Sequence, residues 1–247
     1  MRIILSGMGG HMGAEVLRLA KDGFRGAEVV CGVDPKGAPE CGIPCVSSFE
    51  EVTAEADCII DFSHHAGTAA LTAFARAKHL PLVIATTGQT EEEKAMIREA
   101  AEEIPVFFAA NFSMGIALLI ELAKTVAAAM PDAEIEIVEA HHDRKIDAPS
   151  GTALAIAEAI RSVRPEATLH AGRSGQGKRT KEEIGIHAIR MGNIVGMHEV
   201  LIGTPSQTIT LKHEALSRAL FAEGAVAAAG YLMDREAGLY DMKSLVG

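Results

Sequence analysis

Residues 5–13 read "LSGMGGHMG" and follow directly on an apolar run, Arg2-Ile3-Ile4-Leu5. Gly7, Gly10 and Gly13 stand where a dinucleotide-binding turn needs small residues: the first for the tight turn, the second for backbone approach to a pyrophosphate, the third for packing of helix on strand. The spacing is GxxGxxG, and Gly9 leaves a GxG variant open. Free N–H groups at the helix start would carry the phosphate charge. Glycine-rich turns also serve purely conformational ends, so the flanking sequence has to decide. Asp34 closes the second strand-like run about 20 residues past the last glycine, where an acid can bind ribose hydroxyls. The competing reading is a turn aspartate before Pro35. Strand, turn, helix, strand and acid in that order favour the cofactor. Asp34 argues for NADH, because a carboxylate repels a 2′-phosphate, whereas Lys36 would receive that phosphate and permit NADPH. The preference stays open.

Outward from this turn, short β-branched runs at 2–6, 27–33, 43–46, 57–62, 81–86 and 105–109 alternate with helix-type spacing at 12–22, 65–78 and 90–103. That alternation predicts a parallel sheet with helices on both faces, a Rossmann-type dinucleotide-binding domain over 1–112. After Asn111 the pattern changes. An apolar helix over 114–130 leads into a strand at 133–140, and a helix is expected at 150–163. A long basic loop follows over 164–184, of the kind that is usually functional or mobile. Runs at 185–191, 193–203 and 206–214 read as an antiparallel meander, the last two joined through Thr204-Pro205-Ser206. A final helix over 216–233 ends the pattern. The fold class is therefore α/β: the Rossmann-type domain plus an α+β carboxyl-terminal domain with a mixed sheet, over 113–218, for substrate binding and oligomerisation.

A chain of 247 residues suffices for one large or two modest domains. Its net charge of -10 argues against nucleic acid or an anionic membrane as a general partner, yet allows a small anion in a locally basic pocket. No apolar run is long enough to span a bilayer. Cys31 and Cys58 lie in apolar runs and read as reduced core residues. Cys41 and Cys45 lack the further ligands that a zinc site needs. With an opening strand in place of a leader, a cytoplasmic protein is expected.

The second domain carries its chemistry in residues 139–153, "EAHHDRKIDAPSGTA". The strand before it delivers His141 and His142, and Lys145 follows. Pro149 is tolerated in the first turn of a helix, leaving the amides of Ser150, Gly151 and Thr152 unpaired by the helix, a site for a carboxylate or phosphate. An imidazole and an ammonium beside such a site supply a proton donor and charge recognition. Adjacent residues on a strand face opposite ways, so the two histidines cannot share one metal ion; no metal is expected. Which of them faces the substrate stays open. Arg144-Lys145 would alternatively be a solvated corner.

This stretch resembles the signature of the dihydrodipicolinate reductase family. "SGMGGHMG", "IDFSHHAGT" (60–68), "ATTG" (85–88), "AANFSMG" (109–115), "IGIHAIRMGNIVGMHEV" (184–200) and "GLYDM" (238–242) resemble further segments of that family, in its order and over nearly the whole chain. The resemblance implies NADH- or NADPH-dependent reduction of 4-hydroxy-tetrahydrodipicolinate, a small dicarboxylate, in the diaminopimelate route to lysine. It implies His141 as proton donor, Lys145 as assisting cation, and His142, Ser150, Gly151 and Thr152 as substrate contacts. On the cofactor side it implies Gly7, Met8, Gly9, Gly10, His11, Met12, Asp34, Ala85, Thr86, Thr87, Ala109, Ala110, Asn111 and Phe112, beside which Lys36 is the candidate read above from its charge. It also implies that 219–247 returns to the nucleotide domain and that the chain forms a homotetramer. Three positions depart from the family pattern. Ala85 stands for a common glycine, His11 for a frequent arginine, and Pro35-Lys36 for an arginine after the acid; the last two weaken any carry-over of NADPH preference. A different two-domain dehydrogenase and a nucleotide sensor without turnover are the alternatives.

Overall fold

The computed structural model describes residues 1–38 and 40–247, which divide into two compact units, Met1–Ser113 with Arg218–Gly247, and Met114–Ser217. In the first unit β1 (Arg2–Ser6) leads through the glycine turn into α1 (His11–Lys21). There follow β2 (Glu28–Val33), β3 (Cys45–Val46), β4 (Cys58–Asp61), α2 (Thr68–Lys78), β5 (Leu82–Ile84), α3 (Glu91–Ala101) and β6 (Pro105–Phe108). The second unit holds α4 (Met114–Ala129), β7 (Glu134–His141), α5 (Gly151–Arg161), β8 (Thr168–Ala171), β9 (Glu183–Arg190), β10 (Gly196–Thr204) and β11 (Gln207–Ala215). The chain then re-enters the first unit with α6 (Ala219–Leu232), β12 (Gly238–Tyr240) and α7 (Met242–Val246).

The first unit is a seven-stranded sheet in the order β12-β6-β5-β4-β1-β2-β3, parallel at every pairing. Ile3, Ile4 and Leu5 are all fully buried, as a strand covered on both faces requires, and this is why β1 reads as a continuous apolar run. α1 packs with α6, and α2 with α3. Strand order reverses at β1, which has β4 on one side and β2 on the other. Ligands bind at such a switch point, outside the carboxyl ends of the strands.

The second unit is a five-stranded mixed sheet in the order β11-β10-β7-β9-β8. Its core gathers Ile116, Leu119, Ile156 and Ile160 from the helices against Ile135, Ile137, Ile184, Ile186, Val200 and Ile202 from the strands. β10 and β11 form the expected hairpin, with Thr204 opposite Gln207. The meander does not extend further. β7 lies between β10 and β9 and runs parallel to β9, so β9 and β10 never pair. The linking residues 191–195 instead pass over the end of β7: the Met191 amide donates to the His141 carbonyl and the His142 amide to the Ile194 carbonyl, at 3.0 and 2.8 Å. Hydrophobic pattern and turn signals are blind to such an insertion, because it changes strand neighbours without changing any strand.

The loop expected over 164–184 is only partly a loop. It contains β8, which pairs parallel with β9. Arg179 donates to the Glu136 carboxylate and to the Ile135 and Glu183 carbonyls, and Arg173 pairs with Glu183. Arg173 and Arg179 of this basic stretch are thus pinned to the sheet, whereas Lys178 is exposed.

Candidate functional site

The nucleotide-side segments leave from the carboxyl ends of parallel strands and therefore meet at one edge of the first sheet: 7–10 after β1, 34–37 after β2, 62–67 after β4, 85–90 after β5 and 109–113 after β6. Gly7 has φ +79°, and a Cβ there would lie 2.4 Å from the Phe62 carbonyl oxygen. A Cβ at Gly13 would lie 2.4 Å from the Gly7 carbonyl oxygen, so the third glycine lets α1 begin tight against the turn. Gly10 caps α1 with no side-chain hydrogen bond, and no acid stands in the first turn. No side chain of α1 itself answers the positive end of the helix, which fits a pyrophosphate. A cleft of about 470 Å³ opens here, lined by Gly7, Gly9, Gly10, Asp34, Lys36 and His64 among others.

Asp34 is tied into this cleft by both oxygens, accepting from the Gly9 amide at 3.0 Å and the Lys36 amide at 2.9 Å. The turn reading and the ribose reading describe the same carboxylate: the turn fixes its position. Met8 is buried and lies close to Gly32, so its contribution to the cleft is backbone. Lys36 and His11 are exposed, and Met12 is half-buried. Thr86 is buried and its carbonyl accepts from Gln89 at 2.8 Å, whereas Thr87 is exposed and Ala85 continues the sheet by donating to the Asp61 carbonyl. Asn111 accepts from the Ser113 amide at 2.8 Å, Phe112 is buried against Phe107, Ala109 is half-buried and Ala110 is exposed. Beside them is a buried carboxyl that the sequence did not flag, Asp61: burial pushes it above its ordinary range against the hydrogen bonds from Ser63.

In the second unit the core rows of three strands turn polar at one end. Ile135 and Ile137 are followed on the same face of β7 by Glu139 and His141. On β9, Ile184 and Ile186 are followed by Arg190, which is in register with His141; on β10, Ile202 and Val200 give way to His198, opposite Glu139. Glu139 is completely buried. Its Oε2 accepts from His141 Nδ1 at 2.6 Å and from Arg190 at 2.8 Å; its Oε1 accepts from Arg190 at 2.8 Å and from the Ser150 amide at 3.0 Å. Burial alone would raise this carboxyl, but hydrogen bonds from Arg190, His141 and Ser150 outweigh it and hold it below the usual range.

α5 starts at Gly151 with Ser150 as N-cap, its hydroxyl accepting from the Ala153 amide at 3.2 Å. Pro149 therefore precedes the cap and is not in the first helical turn. The expectation of a free Ser150 amide is also corrected: that N–H is donated to Glu139, the residue is buried, and its Oγ lies 3.2 Å from His198 Nε2. The Gly151 amide stands in the first helical turn, to which the helix itself offers no acceptor. A side chain at Gly151 would meet nothing within 4 Å. Lys145 is three-quarters buried and reaches Asp147 at 2.8 Å; Arg190 donates to the Asp147 carbonyl at 2.6 Å. His142 follows the last residue of β7 and donates its amide to the Ile194 carbonyl at 2.8 Å.

His198 stacks edge-on to His141 at 5.2 Å between ring centres. Burial, aided by the neighbouring His141, lowers its pKa to about 4. Among the described residues no group of three His, Cys, Asp or Glu side chains is set to hold a metal. Sequence reasoning missed Glu139, Arg190 and His198. Glu139 was legible from the period of two that separates it from His141; the other two depend on β9 and β10 flanking β7.

Two family models match this chain, "Dihydrodipicolinate reductase, N-terminus" over residues 1–112 and "Dihydrodipicolinate reductase, C-terminus" over 115–246. The 4-hydroxy-tetrahydrodipicolinate reductase of Caldanaerobacter subterraneus subsp. tengcongensis is 46% identical over 248 aligned residues, covering 100% of this chain and 98% of that protein. The Clostridium tetani enzyme of the same name is 40% identical over 100% of this chain and 97% of its own length. Among solved structures, a dipicolinate-bound dihydrodipicolinate reductase from Paenisporosarcina sp. TG-14 superposes with a TM-score of 0.83 at 27% identity, covering 98% of this chain and 97% of that one.

Proposed function

The chain belongs to the dihydrodipicolinate reductase family, and from that premise we propose how its residues divide the NAD(P)H-dependent reduction of 4-hydroxy-tetrahydrodipicolinate. The bound nicotinamide supplies the hydride. The first-turn amides of α1, the segments at 85–87 and 109–112, and Asp34 with Lys36 hold the cofactor, with Asp34 toward an unphosphorylated ribose and Lys36 toward a 2′-phosphate. In the second unit, Lys145 and the amides of Gly151 and Thr152 bind the substrate carboxylates and fix the ring. His141 supplies the proton that the hydride requires, directly or through a water it orients.

One observation carries this reading. A single buried carboxylate, Glu139, holds both the His141 ring and the Ser150 amide at the start of α5, so the proton donor and the anion-binding turn are anchored to one group. His142 is assigned to the rim of the substrate site. The test is steady-state reduction of the substrate by His141→Ala and Lys145→Ala. Each is expected to lose about 10²–10⁴-fold in turnover while keeping its circular dichroism spectrum and cofactor binding. Near-normal turnover in both would overturn the assignment.

We also infer a cytoplasmic homotetramer. The cysteines Cys31, Cys41, Cys45 and Cys58 are all free, in keeping with a reducing compartment. The helices of the second unit cover one face of its sheet, and the other face carries Val138, Ile189 and Leu201, of which Ile189 is exposed.

A further inference from the structure

We propose that Glu139 is a positioning residue for the reduction: it fixes His141 as the tautomer with its proton on Nδ1, leaves Nε2 to exchange the catalytic proton, and holds that ring in register with the anion-binding start of α5. The proposal rests on the reading of His141 as proton donor and goes beyond it.

The argument begins with the number of acceptor positions. An ionised carboxylate accepts only, at about four positions. Glu139 fills two on each oxygen, with Arg190 on both, His141 Nδ1 on Oε2 and the Ser150 amide on Oε1. The bidentate arginine fixes the plane of the carboxylate, and the remaining donors prevent rotation. Glu139 therefore has no proton to give, and a 2.6 Å contact with Nδ1 requires the ring to donate there. That leaves Nε2 as the nitrogen that can lose or regain a proton during turnover. A Cβ at Gly196 would stand 3.2 Å from Nε2, closer than ordinary contact, so the glycine that begins β10 keeps a side chain from crowding this atom.

The second half concerns distance. The Ser150 amide belongs to the N-cap of α5, so the carboxylate that orients the imidazole also sets where the Gly151 and Thr152 amides lie. Proton donor and substrate anchor share one support, and a shift of either ligand of Glu139 would displace the proton relative to the bound ring. A purely structural ion pair would need neither the histidine nor the helix start.

The experiment combines Glu139→Gln with His141→Ala singly and together. Glutamine keeps the shape and can still accept from Arg190 and Ser150, but it turns an amide N–H₂ toward Nδ1 or loses the contact. Glu139→Gln is expected to lower kcat about 10–100-fold, the usual scale for a group that orients a functional histidine, with a smaller change in substrate KM. In the His141→Ala background it should change kcat by less than about twofold, because residues acting as a unit are not additive. An equal loss in both backgrounds, or wild-type kcat in Glu139→Gln, would overturn the proposal while leaving His141 as donor. Near-normal turnover in His141→Ala would remove the donor reading and this proposal with it. If Glu139→Gln fails to fold, ¹⁵N spectra of the wild-type imidazoles, with His141 assigned by its absence in His141→Ala, decide instead. A proton on Nδ1 of the neutral ring is expected; a bare Nδ1 would overturn the proposal.

Discussion

His198 shows what a buried titratable residue costs a site. Folded, it stays neutral down to about pH 4, whereas the unfolded side chain takes up its proton near 6.5. Between these values the unfolded state binds more protons, so stability rises with pH through that window and is lost as pH falls from 6.5 toward 4. The gap is worth roughly 3 kcal/mol at its acid end. Urea unfolding at about pH 7 and about pH 4.5 should show the wild type losing some 2–3 kcal/mol more than His198→Gln; equal losses would show that the proton is not the cause. The residues that carry charge in this site differ in how far the sequence revealed them. His141 and Lys145 lie in one quoted stretch and stood out there as candidates. Arg190 and His198 are 49 and 57 residues beyond His141 along the chain, and only strand pairing brings them to it. Ser150 was read correctly as belonging to the helix start, but the destination of its amide depends on a carboxylate across the strand.

Helix ends in this protein are completed by distant parts of the chain. Arg164, just past α5, is buried and donates to the Ala127, Met130 and Ala133 carbonyls, around the end of α4. It thereby satisfies carbonyls that α4 cannot satisfy itself, and burial lowers its own pKa in doing so. Arg164→Met should cost about 3 kcal/mol, since hydrogen bonds to a charged donor are lost and buried acceptors remain. The urea midpoint would fall by a matching amount; an unchanged midpoint would mean that water replaces the guanidinium. At the opposite kind of end, α3 caps its own first amides through the capping box of Thr90 and Glu93. Elements of this kind are what the sequence states best. All the strands of the first sheet except β12, and its first three helices, follow from apolar runs and turn residues within a few positions of their observed ends. The second sheet was legible as strands apart from β8, which lies inside the expected loop, and illegible as an order, because β7 and β9 pair in parallel across an intervening helix and strand.

The helices of the second unit lie on one face of its sheet, and the proposed homotetramer would bury Val138, Ile189 and Leu201 on the other. Light scattering should give about four times the 26.0 kDa chain mass. Ile189→Glu should shift the distribution to smaller species with both units still folded, and a wild-type monomer would refute the assembly. The second unit is one uninterrupted segment, but the first is begun by residues 1–113 and finished by 218–247. α6 packs against β4, β5 and β6, and β12 pairs with β6. During synthesis the first unit therefore stays incomplete, with β6 as an open edge, until residues 238–240 have been made, whereas every residue of the second unit precedes them. A chain cut before residue 218 would hold the whole second unit and lack part of the first.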